Sequence, residues 1–288
     1  MSTTHLTDRC LVALSGPDAE HFLQNIVTVD LDALAEGEVR PGALLTPQGK
    51  ILFDFLVSRA PGNTRLLECR ADVADDFIRR LMLYKLRAKV EISKQDQSIV
   101  AVSWGDDSSA LQSDSIRLVD RRFPTPASVF RSYGDLPAAD ADAAAWQAFR
   151  VRHGVAESGT DYALGDAFPH DVLLDELGGV GFRKGCYVGQ EVVSRMQHRG
   201  TARRRVLLVS GDSDLPAPGA DITAGGRVLG ALGSASGNNG LAILRIDRVK
   251  DAIDAGLEIF AADVSVQLTI PSWAKFTFPQ ETAGKEDA

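Results

Sequence analysis

The strongest constraint on the fold is a change in the pattern of apolar segments and turn residues near Arg205. Before it, short apolar segments typical of strands alternate with amphipathic segments typical of helices. After it, short strand-like segments follow one another across turn clusters such as SGNNG, with little sign of helix. The pattern predicts an α+β region at 1–204, a small β-barrel or sandwich at 205–274, and a polar tail at 275–288 that we expect to be disordered.

Charge and cysteine content limit the function classes. The chain has 31 basic and 39 acidic residues, a net charge of -8, which argues against strong binding of nucleic acid or anionic membranes. No apolar run reaches the ~18 residues of a membrane-spanning helix, and MSTTHLTDRCLVAL does not resemble a secretory signal. Cys10, Cys69 and Cys186 form no CxxC pair, so neither a metal site nor a disulfide framework is predicted. Free thiols fit a reducing compartment, and we expect a cytoplasmic protein.

Asp54 is unusual because both faces of its predicted strand, ILFDFLV, are apolar. An unpaired charge is costly to bury, so the carboxylate is expected to be paired, protonated or lining a cavity. Pairing with an arginine or with backbone N–H groups is the simpler interpretation. Further along, Asp140 is predicted to begin a helix, and Gly154 occupies the position of a glycine after its C-terminus.

The most informative motif is KGCYVGQE at 184–191. Its two glycines let the backbone turn sharply or approach a ligand closely. If 189–197 form a helix, Cys186 lies just before the helix N-terminus and close to Lys184, and both features stabilise a thiolate. A buried structural cysteine in a tight turn is the alternative.

This motif, with the trailing Arg195, is similar to the signature of YgfZ-type folate-binding proteins in the aminomethyltransferase-like family, which are related to the mitochondrial iron–sulfur assembly factors. The resemblance covers roughly 10–275 and includes GPDAEHFLQNIVTVDL, TPQGKILFDF, WQAFRVRHGVAE and PHDVLLDELGGVGFRKG. It implies a ring of α+β subdomains around a central folate pocket, followed by a small C-terminal β-barrel. It also implies tetrahydrofolate, or a polyglutamylated reduced folate, as the cofactor.

The resemblance also implies roles for individual residues. Asp54 matches the second of two adjacent acids in the aminomethyltransferases, and Phe53 replaces the first. Asp171 falls where those enzymes place a glutamate that hydrogen-bonds the pterin, although a surface turn acid is the simpler alternative. Cys186 is the candidate catalytic residue, no metal ligands are predicted, and the candidate cofactor-binding residues are Asp54, Asp171, Lys184, Tyr187, Gln190, Glu191 and Arg195.

A run of basic residues follows the motif. Most such runs are solvated surfaces, but this one could also bind the polyglutamate tail of a folate or the phosphates of RNA. No aromatic residues interleave with the arginines, so base stacking has no support and the folate tail is preferred. The run consists of Arg195, His198, Arg199, Arg203, Arg204 and Arg205.

Three functions are compatible with these features. The resemblance favours a tetrahydrofolate-binding accessory factor for assembly or repair of iron–sulfur proteins, with a link to tRNA modification and with iron–sulfur enzymes or assembly proteins as partners. The second is a folate-dependent aminomethyltransferase of the glycine-cleavage type, which Phe53 and the cysteine motif oppose. The third is a non-enzymatic folate-sensing adaptor. We expect an accessory factor; were it an enzyme, it would be a folate-dependent one-carbon transferase.

Overall fold

The computed structural model describes residues 1–95, 100–106 and 117–279. The predicted strands SIVAVSW and SIRLV fall partly outside these ranges, as does most of the predicted tail. The helices are α1 Ala19–Gln24, α2 Ala74–Lys85, α3 Ala143–Arg152, α4 Gln190–Arg199 and α5 Ile246–Asp254. The strands are β1 Ser2–Leu6, β2 Arg9–Ser15, β3 Glu38–Leu45, β4 Ile51–Ala60, β5 Thr64–Arg70, β6 Glu91–Lys94, β7 Val100–Gly105, β8 Leu118–Asp120, β9 Ser128–Tyr133, β10 Arg204–Gly211, β11 Asp221–Ala224, β12 Arg227–Ser236, β13 Asn239–Arg245, β14 Ile259–Ala261 and β15 Val264–Thr269.

Nine strands form one sheet in the order β1-β7-β9-β8-β3-β4-β5-β2-β6. Neighbouring strands are antiparallel except at one seam, where β3 runs parallel to β8. The seam divides the sheet into two halves. Helices α1 and α2 bury Phe22, Leu23, Phe77 and Leu81 against one half, and α3 buries Trp146 and Phe149 against the other. The predicted α+β class is confirmed.

The C-terminal strands close a six-stranded barrel in the order β10-β13-β12-β11-β14-β15. The barrel predicted from the resemblance is therefore confirmed, and its first strand begins at Arg204, beside the predicted boundary. Helix α5, which the sequence pattern did not reveal, interrupts the strands and packs Ile246, Val249 and Ala252 close to or into the barrel core. Among the described residues, no helix has the length and apolar content needed to cross a bilayer.

Helix α3 begins at a different residue from the one that the sequence predicted. Its N-cap is Asp142, whose side chain accepts a 2.8 Å hydrogen bond from the Ala145 N–H. Asp140, predicted to begin the helix, instead accepts a 2.6 Å hydrogen bond from the backbone N–H of Thr3 on β1. The prediction for Gly154 fits, because this residue follows the helix with φ +73°.

Buried ion pairs connect the two halves of the sheet through four arginines and four carboxylates, none with a side chain more than 8% exposed. Burial alone would raise the pKa of Asp120, but Arg122 and Arg131 lower it below its ordinary value. The four positive and four negative charges balance, and this pairing offsets the free-energy cost of removing the ions from water. The contacts join Arg131 to Glu68 (3.0 Å) and Asp120 (3.2 Å), Arg122 to Asp120 (2.8 Å) and Glu157 (3.5 Å), Arg9 to Glu157 (2.9 Å), and Arg150 to Asp161 (2.6 Å) and Glu157 (3.6 Å).

We expect Arg131→Ala to lower the free energy of unfolding by about 3–5 kcal/mol at neutral pH, because it removes a guanidinium from two buried carboxylates. Without Arg131, the pKa of Asp120 rises, so the loss should shrink as pH falls, because the carboxyl group of the variant takes up a proton while that of the natural protein stays ionised. Urea denaturation at pH 7 and pH 4.5 measures both effects.

The matched control is Arg152→Ala, since Arg152 forms an exposed pair with Asp106 (3.2 Å) that is worth ~1 kcal/mol or less. An equal loss in the two variants, or a loss for Arg131→Ala that does not depend on pH, would contradict the structural role of the network.

Candidate functional site

Asp54 lies on β4 and is held by two hydroxyl groups. Ser158 Oγ donates to Oδ1 at 2.6 Å, and the Tyr162 hydroxyl donates to Oδ2 at 3.1 Å. Burial, followed by the charge of Asp54, raises the pKa of Tyr162 well above its ordinary value, so this hydroxyl remains a donor. The carboxylate therefore has hydrogen-bond partners, but they are side-chain hydroxyls and not the arginine or backbone N–H groups of the simpler interpretation.

Phe53, which replaces the first acid of the transferase segment, faces the other side of β4. Its ring centroid lies 5.0 Å from that of Phe77, in the core that α1 and α2 form with one half of the sheet. A carboxylate here would be buried among aromatic rings, on the face of the strand opposite Asp54. In this chain, position 53 is a core position.

A small inner cavity lies beside Asp54 and is also lined by Arg9 and Arg122 of the buried network. Its volume is about 30 Å³. Since a single water needs ~10–15 Å³ of such space, the cavity has room for about two waters. A bicyclic ring of pterin size does not fit in this conformation.

Asp171 is buried but does not line the inner cavity; the adjacent Val172 does. The backbone N–H of Phe168 donates to its Oδ2 at 3.1 Å, and Arg204 Nε lies 4.0 Å from the same atom. Burial raises the pKa of Asp171, while the Phe168 N–H and Arg204 oppose that rise. The structure therefore places Asp54 and Asp171 in different surroundings, with Asp171 closing a local turn.

The KGCYVGQE segment packs on the turn between β3 and β4. Gly49 in that turn and Gly189 in the motif both have positive φ, +80° and +79°. A Cβ on Gly189 would lie 2.5 Å from the carbonyl oxygen of Thr46, and one on Gly49 would lie 2.9 Å from Cβ of Val192. Two backbones thus meet at a distance that only glycine permits. Gly185, in contrast, has negative φ and open space around it.

Lys184 and Tyr187 anchor this segment. Lys184 Nζ donates to the carbonyl oxygens of Val27 and Val29, both at 2.8 Å, and lies 5.3 Å from the Tyr187 ring centroid. Burial lowers the pKa of Lys184 to about 8 and raises that of Tyr187 to about 12. Both side chains are used to fix the loop, so the amine predicted to stabilise a thiolate at Cys186 is committed to backbone carbonyls.

Cys186 itself is exposed, whereas Cys10 and Cys69 are buried. The predicted helix over 189–197 is present as α4, which begins at Gln190 with Gly189 as its N-cap, so Cys186 lies four residues before it. Of the other residues predicted to bind the cofactor, Gln190 is half-buried, and Glu191 and Arg195 are exposed on the helix.

Cys10 and Cys69 stand directly opposite each other on β2 and β5, with their sulfur atoms 3.8 Å apart. The contact with Cys10 and burial raise the pKa of the Cys69 thiol far above its ordinary value. The two residues are 59 positions apart in the chain, and strand register brings them together.

The basic run does not form one surface. Arg195 and Arg199 are exposed on α4, but the consecutive Arg204 and Arg205 point to opposite faces of β10. Arg205 is buried with Asp175 at 2.9 Å, and Arg204 lies 3.4 Å from Asp166. Binding of a polyglutamate tail by this run remains a prediction, as does the absence of strong nucleic-acid binding.

Sequence reasoning did not find Ser158 and Tyr162, or the approach of Arg9 and Arg122 to Asp54. An acid in an apolar strand signals that partners exist but not where they lie in the chain. Ser158 is 104 residues away from Asp54 in sequence.

Known proteins resemble both parts of this structure. A family model described as the C-terminal β-barrel domain of CAF17 matches residues 203–276. The glycine cleavage system aminomethyltransferase T from Bartonella henselae superposes with a TM-score of 0.71, covering 95% of this chain and 86% of that one, at 16% identity. That likeness shows the shared fold alone.

Curated relatives are similar over nearly the whole chain. The iron–sulfur cluster assembly factor IBA57 homolog, mitochondrial, of Chaetomium globosum is 31% identical over 87% of this chain and 73% of its own length. The iron–sulfur cluster assembly factor IBA57, mitochondrial, of Homo sapiens is 28% identical over 93% and 84%. The motif resembles a group that includes YgfZ-type proteins and the related mitochondrial assembly factors. These matches support the assembly factors and do not specifically support the YgfZ type.

The predicted cytoplasmic location is wrong by this comparison, because these relatives are named as mitochondrial proteins. The prediction rested on free thiols. Free thiols indicate a reducing environment and do not distinguish one reducing compartment from another.

We expect Gly189→Ala to destabilise the protein by ~2 kcal/mol or more, because alanine disfavours positive φ and its Cβ would collide with the Thr46 carbonyl. The control within the same motif is Gly185→Ala, which meets no atom and should change the free energy of unfolding by less than ~0.5 kcal/mol. Similar values for both variants in urea denaturation would refute the proposed contact between the motif and the turn.

Limiting iodoacetamide at neutral pH should label Cys186 first, because it is the exposed thiol of the three. Burial shields Cys10 and Cys69 and, for Cys69, the raised pKa also suppresses the thiolate. Peptide mapping by mass spectrometry reports the order of labelling. Earlier labelling of Cys10 or Cys69 would show that this part of the sheet opens in solution.

Proposed function

Because the chain belongs to the iron–sulfur cluster assembly factor IBA57 family, we propose that it supports the assembly of iron–sulfur proteins, with Cys186 as the residue that contacts the cluster or its sulfur. The clients would be iron–sulfur enzymes, including enzymes that modify tRNA, or other assembly proteins. The observation that carries the proposal is the placement of one exposed thiol on a loop fixed by glycine packing and by Lys184.

The chemistry of Cys186 follows from its isolation. A thiolate is a good ligand for iron, but a cluster usually takes four such ligands. Among the residues described, no group of three or more histidine, cysteine or acidic side chains could hold a metal ion. One chain therefore supplies one thiolate, and the remaining ligands would come from the partner that gives or receives the cluster.

Complementation of a strain lacking this protein tests the role of Cys186. We expect Cys186→Ser to leave iron–sulfur enzyme activity at the level of the deletion strain, because the serine hydroxyl is a much poorer ligand for iron. Circular dichroism of the purified variant checks that it is folded, and Cys10→Ala serves as a thiol control away from the loop. Full activity with Cys186→Ser would remove the thiol from the mechanism.

A second part of the proposal is that a reduced folate, tetrahydrofolate or a polyglutamylated form, binds beside Asp54. A carboxylate can accept hydrogen bonds from an aminopyrimidine edge, which supports this ligand. The cavity of about 30 Å³ has no room for the pterin, so the residues do not fit a folate in this conformation. Binding would require Ser158 and Tyr162 to move away from Asp54.

Calorimetry with tetrahydrofolate tests this part. Loss of one charge-assisted hydrogen bond costs ~1.5–3 kcal/mol, so Asp54→Asn should weaken binding by about tenfold or more. Asp171→Asn tests the second predicted contact, and the exposed Asp166→Asn is the control. If the natural protein does not bind tetrahydrofolate, the folate proposal is wrong. Unchanged affinity in Asp54→Asn would show that the folate does not bind beside Asp54.

The two alternatives make different demands. An aminomethyltransferase of the glycine-cleavage type would need a group for the role of the missing first acid, and position 53 is a phenylalanine in the core. A non-enzymatic folate-sensing adaptor would bind folate but would not need Cys186. The complementation experiment separates the adaptor from the assembly role.

A further inference from the structure

A larger cavity lies between the α+β region and the barrel. It has a volume of about 740 Å³ and is bounded by the loop at 159–164 on one side and by β12 on the other. Leu164, Leu229, Leu232 and Ile243 give it apolar walls. This size and lining are typical of sites for small organic molecules.

Four arginines line this cavity, which we call the arginine cavity: Arg70, Arg204, Arg245 and Arg248. Arg204 and Arg245 are direct partners across β10 and β13, so their side chains project from the same face of the barrel wall. Like charges directly opposite each other on neighbouring strands are destabilising. An anion bound between them would relieve that repulsion.

The only acid that lines the arginine cavity within the described residues is Asp161, and its oxygens are engaged elsewhere. Oδ2 accepts from Arg150 Nη1 at 2.6 Å and from the Glu157 N–H at 2.8 Å, while Oδ1 accepts from the Ser234 N–H at 2.7 Å. The hydrogen-bonding capacity of Asp161 is therefore directed to Arg150 and to backbone N–H groups, and not to the four arginines of the cavity.

One other acid near the arginines is buried, Asp171 at 4.0 Å from Arg204 Nε, and the rest lie toward solvent. Asp72 beside Arg70 and Asp166 beside Arg204 both have side chains 61% exposed, and Asp247 beside Arg245 is 32% exposed. The pairs with Asp72 and Asp247 are bidentate, but all three pairs are open to solvent, where another anion can compete for the guanidinium. Arg248 donates to a backbone carbonyl, that of Val228, and its Nε is buried without a partner in the described structure.

Gly159 leaves space for one of the guanidinium groups. A Cβ at this position would overlap the guanidinium of Arg70, and its φ of +88° also favours glycine. The loop therefore lets Arg70 reach the rim of the cavity across the backbone.

We propose that the arginine cavity binds a small organic anion with an apolar body and at least two carboxylate or phosphate groups. The apolar walls accept the body, and the planar guanidinium groups match either oxyanion. The site is distinct from Cys186 and from the inner cavity. Tyr162 lines both cavities, but its hydroxyl is directed to Asp54.

Calorimetry at low ionic strength with two pairs of probes tests the proposal. ADP is compared with adenosine, and 4-aminobenzoyl-glutamyl-glutamate is compared with the uncharged 4-aminobenzamide. We expect at least one anionic probe to bind at least tenfold more tightly than its neutral counterpart, and the identity of that probe distinguishes phosphate from carboxylate. If neither anion binds, or if the neutral compounds bind equally well, the proposal is wrong.

Variants locate the binding. The double variant Arg245→Gln, Arg248→Gln should weaken the anion at least tenfold, whereas Arg227→Gln, a single charge change on β12 outside the cavity lining, should leave it within twofold. Ala231→Trp retains every arginine but fills exposed space in the cavity, and it should also weaken binding at least tenfold. Circular dichroism checks that each variant is folded.

Equal losses in Arg227→Gln and the double variant would indicate a diffuse effect of charge and overturn the proposal, as would unchanged binding in Ala231→Trp. Asp54→Asn should leave the anionic probes unaffected. Failure at the arginine cavity is therefore distinguishable from failure of the folate proposal, which depends on Asp54 and the pterin ring.

Discussion

Buried ion pairs between four arginines and four carboxylates join the two halves of the large sheet. Arg131 reaches from β9 to Glu68 on β5, and Arg9 reaches from β2 to Glu157 in the loop after α3. Each charge depends on its partners, because removal of one would leave another in a medium that solvates it poorly. The network therefore fixes the relative positions of strands that are distant in sequence, and two of its arginines, Arg9 and Arg122, line the inner cavity.

The same physical requirement explains the state of Asp54. Arg9 and Arg122 line its cavity but are occupied by Glu157 and Asp120, so Asp54 takes its hydrogen bonds from Ser158 and Tyr162. Neutral hydroxyls can be displaced at a lower electrostatic cost than a paired guanidinium. The loop that carries them is also one wall of the arginine cavity, so the two cavities share a boundary although their chemistry differs.

The motif with Cys186 depends on a different kind of constraint, which is steric. Gly49 and Gly189 allow two turns to touch, and Lys184 adds hydrogen bonds to carbonyls on a third segment. The thiol is thereby held at the surface by a rigid support, while the other two thiols are buried in a core cluster. Such an arrangement suits a residue that must meet a partner without unfolding the domain.

The sequence by itself determined the α+β region and the change to a strand-rich barrel near Arg205, because periodicity and turn residues act locally. It also identified Cys186 and Asp54 as unusual for their settings. Tertiary structure alone decided that Asp54 pairs with Ser158 and Tyr162, that Asp171 closes a turn away from the inner cavity, and that the basic run divides between faces. It also brought Arg204, Arg245 and Arg70 around one cavity. These outcomes depend on strand register and on contacts between segments many residues apart, and a local pattern can show that a charge needs a partner but not which residue supplies it.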